Sequence, residues 1–120
     1  MDVMAGIKND IQEFDTGEEI FTQAESGRYM CVLISGAVSL TRKTDKGEKM
    51  LKIITTPNEF FGEMALLTGQ PHEFTALATR PTKILVIDEA NFERIVCTNG
   101  KFALKIIRSL AQRFLDSSLP

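Results

Sequence analysis

Apolar and polar positions follow one pattern over the first three quarters of the chain and another after it. Between Ile11 and Asp88, glycines at 17, 27, 36, 47, 62 and 69 and prolines at 57, 71 and 81 punctuate short runs of strand type. These runs cover 19–22, 29–35, 37–43, 48–55, 74–78 and 82–87. Several alternate with period two: Val38 and Leu40 share one face, Ser39 and Thr41 the other. Thr44-Asp45-Lys46-Gly47 has the composition of a hairpin turn with a positive φ at Gly47. Gly36, between two apolar strands, marks a tight bend or bulge. Many short strands at this spacing predict a closed or double-sheet β structure.

After Ile87 the period lengthens. Asp88 can cap a helix whose apolar positions, Phe92, Ile95 and Val96, recur at three and four residues. Thr98-Asn99-Gly100 breaks it, and Asn99 or Thr98 can cap a second helix over about 101–115. That helix carries one broad apolar stripe (Phe102, Ala103, Ile106, Ile107, Leu110, Phe114) and a second one of Leu104, Ala111 and Leu115. A sheet face is expected to cover the first stripe. The second is either a dimer seam, a docking surface for a neighbouring domain, or a face that a small domain wraps more fully.

Composition narrows the class. A chain of 120 residues, 43% hydrophobic and 25% charged, suits one domain with a real core, without disulfides or a metal. The formal charge of −2 gives no general attraction to nucleic acid or anionic lipid. The longest apolar run, Tyr29 to Ile34, is six residues, far short of the roughly 20 that a membrane span needs. The first residues, MDVMAGIKNDIQEFD, lack the basic and apolar regions of a secretory signal. Two cysteines, Cys31 and Cys97, do not read as a disulfide framework, so a cytoplasmic setting is expected. His72 is the only histidine, which excludes sites built on two or three histidines, and no metal is expected. The first 25 residues are acidic, whereas Arg42, Lys43, Lys46, Lys49 and Lys52 make a basic hairpin. That hairpin either docks an acidic partner or is a solvated turn with lysines protecting an edge.

The stretch from Phe60 to Ala76, FFGEMALLTGQPHEFTA, carries the chemistry. A strand ends at Phe61, and Gly62 lets the backbone turn sharply or approach a ligand. The next residues, 63–67, make one short helical turn, whose unpaired N–H groups suit an anion such as a phosphate. A carboxylate at the first helical position, Glu63, can accept from a ligand hydroxyl or offset the helix dipole.

FFGEMALLTGQP resembles the phosphate-binding cassette of cyclic nucleotide-binding domains, FGE-(Leu/Met)-Ala-Leu followed by Pro-Arg-(Ser/Ala)-Ala-Thr-Ala. Phe14-Asp15-Thr16-Gly17-Glu18-Glu19-Ile20-Phe21 resembles the family's first glycine turn and strand. Met30 to Val38 resembles its YVLISGxV strand pair. Ile84 to Asp88 with Phe92 resembles its last strand and following helix, and Phe102-Ala103-Leu104 with Leu110 to Phe114 its closing helix. The resemblance spans about 11–115. It implies a mainly β fold: an eight-stranded double-sheet β-roll, jelly-roll-like, over about 11–88, with a short N-terminal helix and two C-terminal helices over about 88–115, all in a single domain of 1–120. In the family the nucleotide is held by cassette amides, by the Glu on the ribose 2′-hydroxyl and by the Arg on the cyclic phosphate. The ligand residues so implied are Gly62, Glu63, Met64, Ala65, His72, Glu73 and Thr75, and the ligand is cAMP or cGMP.

The departures fall where the phosphate would sit. His72 replaces the family's arginine, Glu73 its Ser or Ala, and Phe74 a small residue, before Thr75 and Ala76 return to the pattern. A guanidinium is always charged and grips phosphate with two hydrogen bonds. An imidazole is mostly neutral at pH 7, although a neighbouring carboxylate favours its charged form. Losing one partner of a buried pair costs roughly 3–5 kcal/mol, about 100-fold or more in affinity. Ordinary cyclic-nucleotide binding is therefore expected to be weakened.

His72 beside Glu73 is half a catalytic dyad, but no Ser or Cys nucleophile is placed beside it, and a lone loop histidine is usually surface. Arg28, Arg80 or a basic residue of the hairpin can replace the missing arginine from elsewhere. Cys31 reads as a buried apolar residue of a core strand, and Cys97 as a more exposed thiol at a helix end. Many bacterial proteins with this domain add a helix-turn-helix reader after the closing helix. Ending at Pro120, the sequence leads to the expectation of no direct nucleic-acid contact. The expected function is a non-enzymatic, cytoplasmic regulatory or sensor module, or a ligand-free interaction or dimerisation module that keeps only the fold.

Overall fold

The computed structural model describes residues 10–118; the expected N-terminal helix lies outside them. In chain order the elements are β1 (Ile11–Phe14), β2 (Glu19–Phe21), β3 (Tyr29–Thr44), β4 (Gly47–Ile54), β5 (Phe60–Phe61), α1 (Glu63–Thr68), β6 (Thr75–Asp88), α2 (Glu89–Thr98) and α3 (Gly100–Ser118).

The unbroken apolar run at the start of β3 is explained by burial on both faces. Met30 and Val32 point to a core shared with the helices through Leu66, Ile95, Phe102 and Ile106. Cys31 and Leu33 point the other way, into the roll with Phe21, Val38, Phe61 and Ile84. β6 does the same, with Leu85 and Ile87 on the helix side and Ile84 on the roll side. The two long strands pair antiparallel along their lengths, from Tyr29 opposite Asp88 to Thr41 opposite Thr75. β1 and β2 pair with β6, while β4 and β5 pair with β3.

The sheet has six strands among the described residues, not eight, because two expected breaks are bends. Runs 29–35 and 37–43 are one strand through Gly36, and runs 74–78 and 82–87 are one strand through Pro81. The β3–β6 register slips on both sides of Gly36, opposite Pro81, so the proline meets no regular rung. Gly36 has φ +106°, and a Cβ there would collide with the Thr82 side chain and the Pro81 carbonyl.

Both helix caps form as the sequence leads one to expect: Asp88 Oδ1 accepts from Asn91 N–H at 2.9 Å, and Asn99 Oδ1 from Phe102 N–H at 3.1 Å. The division of α3 into stripes is corrected. Phe102 and Ile106 are buried and Leu110 packs against the same core, but Ile107 is 59% and Phe114 70% exposed. The helix rests on the sheet along one narrow ridge with i, i+4 spacing. Leu104 and Leu115 are exposed as well.

A Gly36→Ala substitution is expected to destabilise the protein by about 2–4 kcal/mol, since it combines a positive φ with a backbone collision. Denaturant unfolding measures it; a loss near zero would mean that the bend is not sterically tight.

Candidate functional site

β5 ends at Gly62, which adopts φ 78° and turns the chain into α1. A Cβ at Gly62 would stand 3.2 Å from the Phe21 ring and 3.4 Å from His72 Cε1, so the positive φ and the close approach both call for glycine. Glu63, Met64 and Ala65 follow as the first turn. Glu63 and Ala65 are buried and Met64 is half-buried. The Ala65 carbonyl accepts from Gly69 N–H at 3.0 Å, which closes this short helix.

His72 departs most from expectation. It is 3% exposed, its ring stacked on Phe21 with centroids 3.8 Å apart and planes 15° from parallel, and Tyr29 lies at 5.0 Å. Its N–H donates to the Glu25 carbonyl at 3.0 Å and its carbonyl accepts from Ala24 N–H at 2.8 Å, which fixes the loop. Nε2 is buried without a hydrogen-bond partner. Burial lowers the imidazole's pKa below 6.5, outweighing the opposing pull of Glu25 and Glu73. His72 is thus neither a surface histidine nor a cation awaiting a phosphate.

Glu73 takes a different direction. Its Oε1 accepts from Arg113 Nη2 at 2.7 Å, Arg42 Nη2 lies 3.7 Å from Oε2, and Arg42 Nε donates to the Glu73 carbonyl at 3.0 Å. The same Arg113 reaches Glu63 Oε2 at 3.8 Å. Burial raises the Glu63 pKa, with Arg113 acting against it and Glu73 with it. The carboxyl and imidazole of residues 73 and 72 therefore face different partners, and no dyad forms. Phe74 is buried in the roll, its ring 5.6 Å from Phe21.

Five of the seven residues expected at the ligand, Gly62 to Ala65 and His72, adjoin one another, and Glu73 joins them through Arg113. Thr75 stands apart. Its hydroxyl accepts from Gln23 N–H at 2.9 Å, and it lines a separate cavity of about 240 Å³ with Gln23, Lys43 and Glu48. Of the candidate replacement arginines, Arg28 pairs with Glu89 at 2.5 Å and its guanidinium lies where a Cβ on Gly69 would go, while Arg80 donates to the Gly36 carbonyl at 3.3 Å. Arg42 of the basic hairpin reaches Glu73. Arg113 was not foreseen: it follows Leu110 by three residues, on the flank of the buried ridge, and only that offset hints at a turn towards α1. Beside it, Met64, Leu110, Arg113, Phe114 and Ser117 line a cavity of about 300 Å³ between α1 and α3. Among the described residues no three His, Cys, Asp or Glu side chains gather as a metal site.

Residues 11–99 match the model of the cyclic nucleotide-binding domain. The chain belongs to the cyclic nucleotide-binding domain family. Among curated proteins it is 25% identical over 111 residues to the global nitrogen regulator of Synechococcus elongatus, covering 91% of this chain and 50% of that protein. The global nitrogen regulator of a Nostoc species matches at the same identity and coverage. The chain thus spans half the length of these curated relatives. Among solved structures, the Thermus thermophilus catabolite activator protein superposes with TM-score 0.82 at 24% identity, over 96% of this chain and 59% of that one. The sensor domain of the transcriptional regulator DNR from Pseudomonas aeruginosa gives TM-score 0.72 at 27% identity, over 90% and 73%. In this member of the cyclic nucleotide-binding domain family, a glycine turn at Gly62 leads into the short helix α1, and the buried His72 ring lies beside that turn.

The buried ring has a pH signature. The unfolded chain protonates His72 near pH 6.5, and the folded chain only at lower pH. Stability is therefore lost as pH falls from about 6.5 towards the folded value. His72→Phe removes both this loss and the orphan Nε2. It is expected to raise stability at pH 7 by about 1 kcal/mol and to flatten the decline between pH 7 and 5. An unchanged slope in thermal melts would place the imidazole in water.

Proposed function

We propose that this domain is a non-enzymatic regulatory module in which ordinary cAMP or cGMP binding is weakened and whose output is carried by the C-terminal helices. The observation behind this reading is His72, buried, neutral and stacked on Phe21 where an arginine would hold the phosphate. Glu73 adds a negative charge beside the same place, and Phe74 fills roll volume that a small residue would leave open. Gly62 to Ala65 keep the turn, and Glu63 keeps an acceptor at the ribose position. Any ligand acts by favouring one arrangement of α2 and α3 over another. The partially matched nitrogen regulators and catabolite activator protein are regulators by name, which supports a regulatory rather than catalytic role. The free thiols Cys31 and Cys97 suit a cytoplasmic setting. No helix among the described residues is long and apolar enough to cross a membrane.

A second reading, an interaction or dimerisation module, is favoured by the outer face of α3. Leu104, Ile107 and Phe114 are exposed there at three- and seven-residue spacing with Ala111 between them, the pattern of a helix seam. The partner in that reading is a second copy of this chain or an effector protein, rather than nucleic acid.

Calorimetric titration with cAMP tests the first reading. The wild-type domain is expected to bind at least about 100-fold more weakly than a triple variant, His72→Arg with Glu73→Ser and Phe74→Ala. Wild-type affinity equal to the variant's would contradict it. For the second reading in its self-association form, sedimentation is expected to show a wild-type dimer and an Ile107→Glu monomer; a monomeric wild type would contradict that form.

A further inference from the structure

Two guanidinium groups from distant parts of the chain, Arg42 on β3 and Arg113 on α3, converge on the carboxylate of Glu73. Arg113 donates to Oε1 at 2.7 Å while Arg42 lies 3.7 Å from Oε2 and also holds the Glu73 carbonyl. Arg113 continues to the buried carboxylate of Glu63 at 3.8 Å. Two arginines converging on one set of oxygens is how a protein holds a phosphate or carboxylate ligand. Here the oxygens belong to the chain. An incoming anion would have to approach with the Glu73 carboxylate already between the two cations.

From this geometry we infer that Glu73 is an internal counter-ion that determines both specificity and position. Its carboxylate occupies the anion position between Arg42 and Arg113, disfavours ligands that bring a phosphate, and latches α3 onto the cassette without any ligand. α3 is held to the sheet by its narrow ridge of Phe102, Ile106 and Leu110, which ends eight residues before the helix does. Beyond Leu110, where Phe114 is exposed, Arg113 ties α3 to the cassette through Glu73 and Glu63. This inference rests on the weakened-nucleotide reading and adds what takes the nucleotide's place.

Hydrogen exchange followed by mass spectrometry on the full chain tests it, reading the peptides of residues 104–118. Glu73 is a third exposed and Arg113 41% exposed, so the contact is screened and removing it leaves the core intact. Glu73→Ala is expected to speed exchange in these peptides about fivefold, and Arg113→Gln similarly, with the double variant no faster than Arg113→Gln alone. Sodium acetate, against chloride at equal ionic strength, is expected to slow the Glu73→Ala protein back towards the wild type and to leave the wild type unchanged, because a free carboxylate fills the vacated position. Exchange in Glu73→Ala equal to the wild type would overturn the latch, and so would additive effects of the two substitutions. Strong protection of the wild-type cassette peptide, residues 60–72, by added cAMP would instead sink the weakened-nucleotide reading, whatever Glu73→Ala does to α3.

Discussion

Everything in this domain hangs on the antiparallel pairing of β3 with β6. Because both strands are buried on both faces, alternate residues of one strand serve two separate cores. Cys31 and Leu33 line the roll, while their neighbours Met30 and Val32 carry the helices. Protein interiors are close-packed and transmit strain instead of absorbing it. Leu66 of the cassette helix belongs to the helix-side core.

On that frame the candidate site combines a buried neutral ring with a group of ion pairs. An arginine aimed at a phosphate is a charge waiting for a partner, costly to bury when unpaired. A neutral imidazole stacked on Phe21 costs little except its orphan nitrogen. Positive charge reaches this neighbourhood through Arg42 and Arg113, which meet Glu73, and Arg113 also reaches Glu63. The glycine turn and short helix stand beside charges that pair within the chain.

Local rules were enough to read much of this from the sequence. The turn at Gly62, the caps at Asp88 and Asn99, the hairpin at 44–47 and the burial of Cys31 each depend on a few neighbouring residues, and each is present. Counting strands failed at Gly36 and Pro81, where a bulge lets one strand carry on through residues that usually end it. The stripes of α3 were drawn too wide, since periodicity shows which residues can share a face but not how much of it the sheet covers. His72 was misjudged because its burial is decided by Phe21 and Tyr29, some fifty and forty residues away in sequence. Arg113 was missed for the same reason: its partners, Glu63 and Glu73, lie in another element, and the flank of a helix carries no local mark of what it meets.

The single histidine allows the account to be tested at its centre. In untagged protein the imidazole ¹H–¹⁵N spectrum belongs to His72 alone, and its pH titration can be followed without assignment. The account requires a neutral ring at pH 7 whose apparent pKa lies below 6.5 and does not move when cAMP is added. A pKa at or above 6.5, or one driven upward by cAMP, would mean that an imidazolium does meet the phosphate, and the internal balance of charge described here would be wrong.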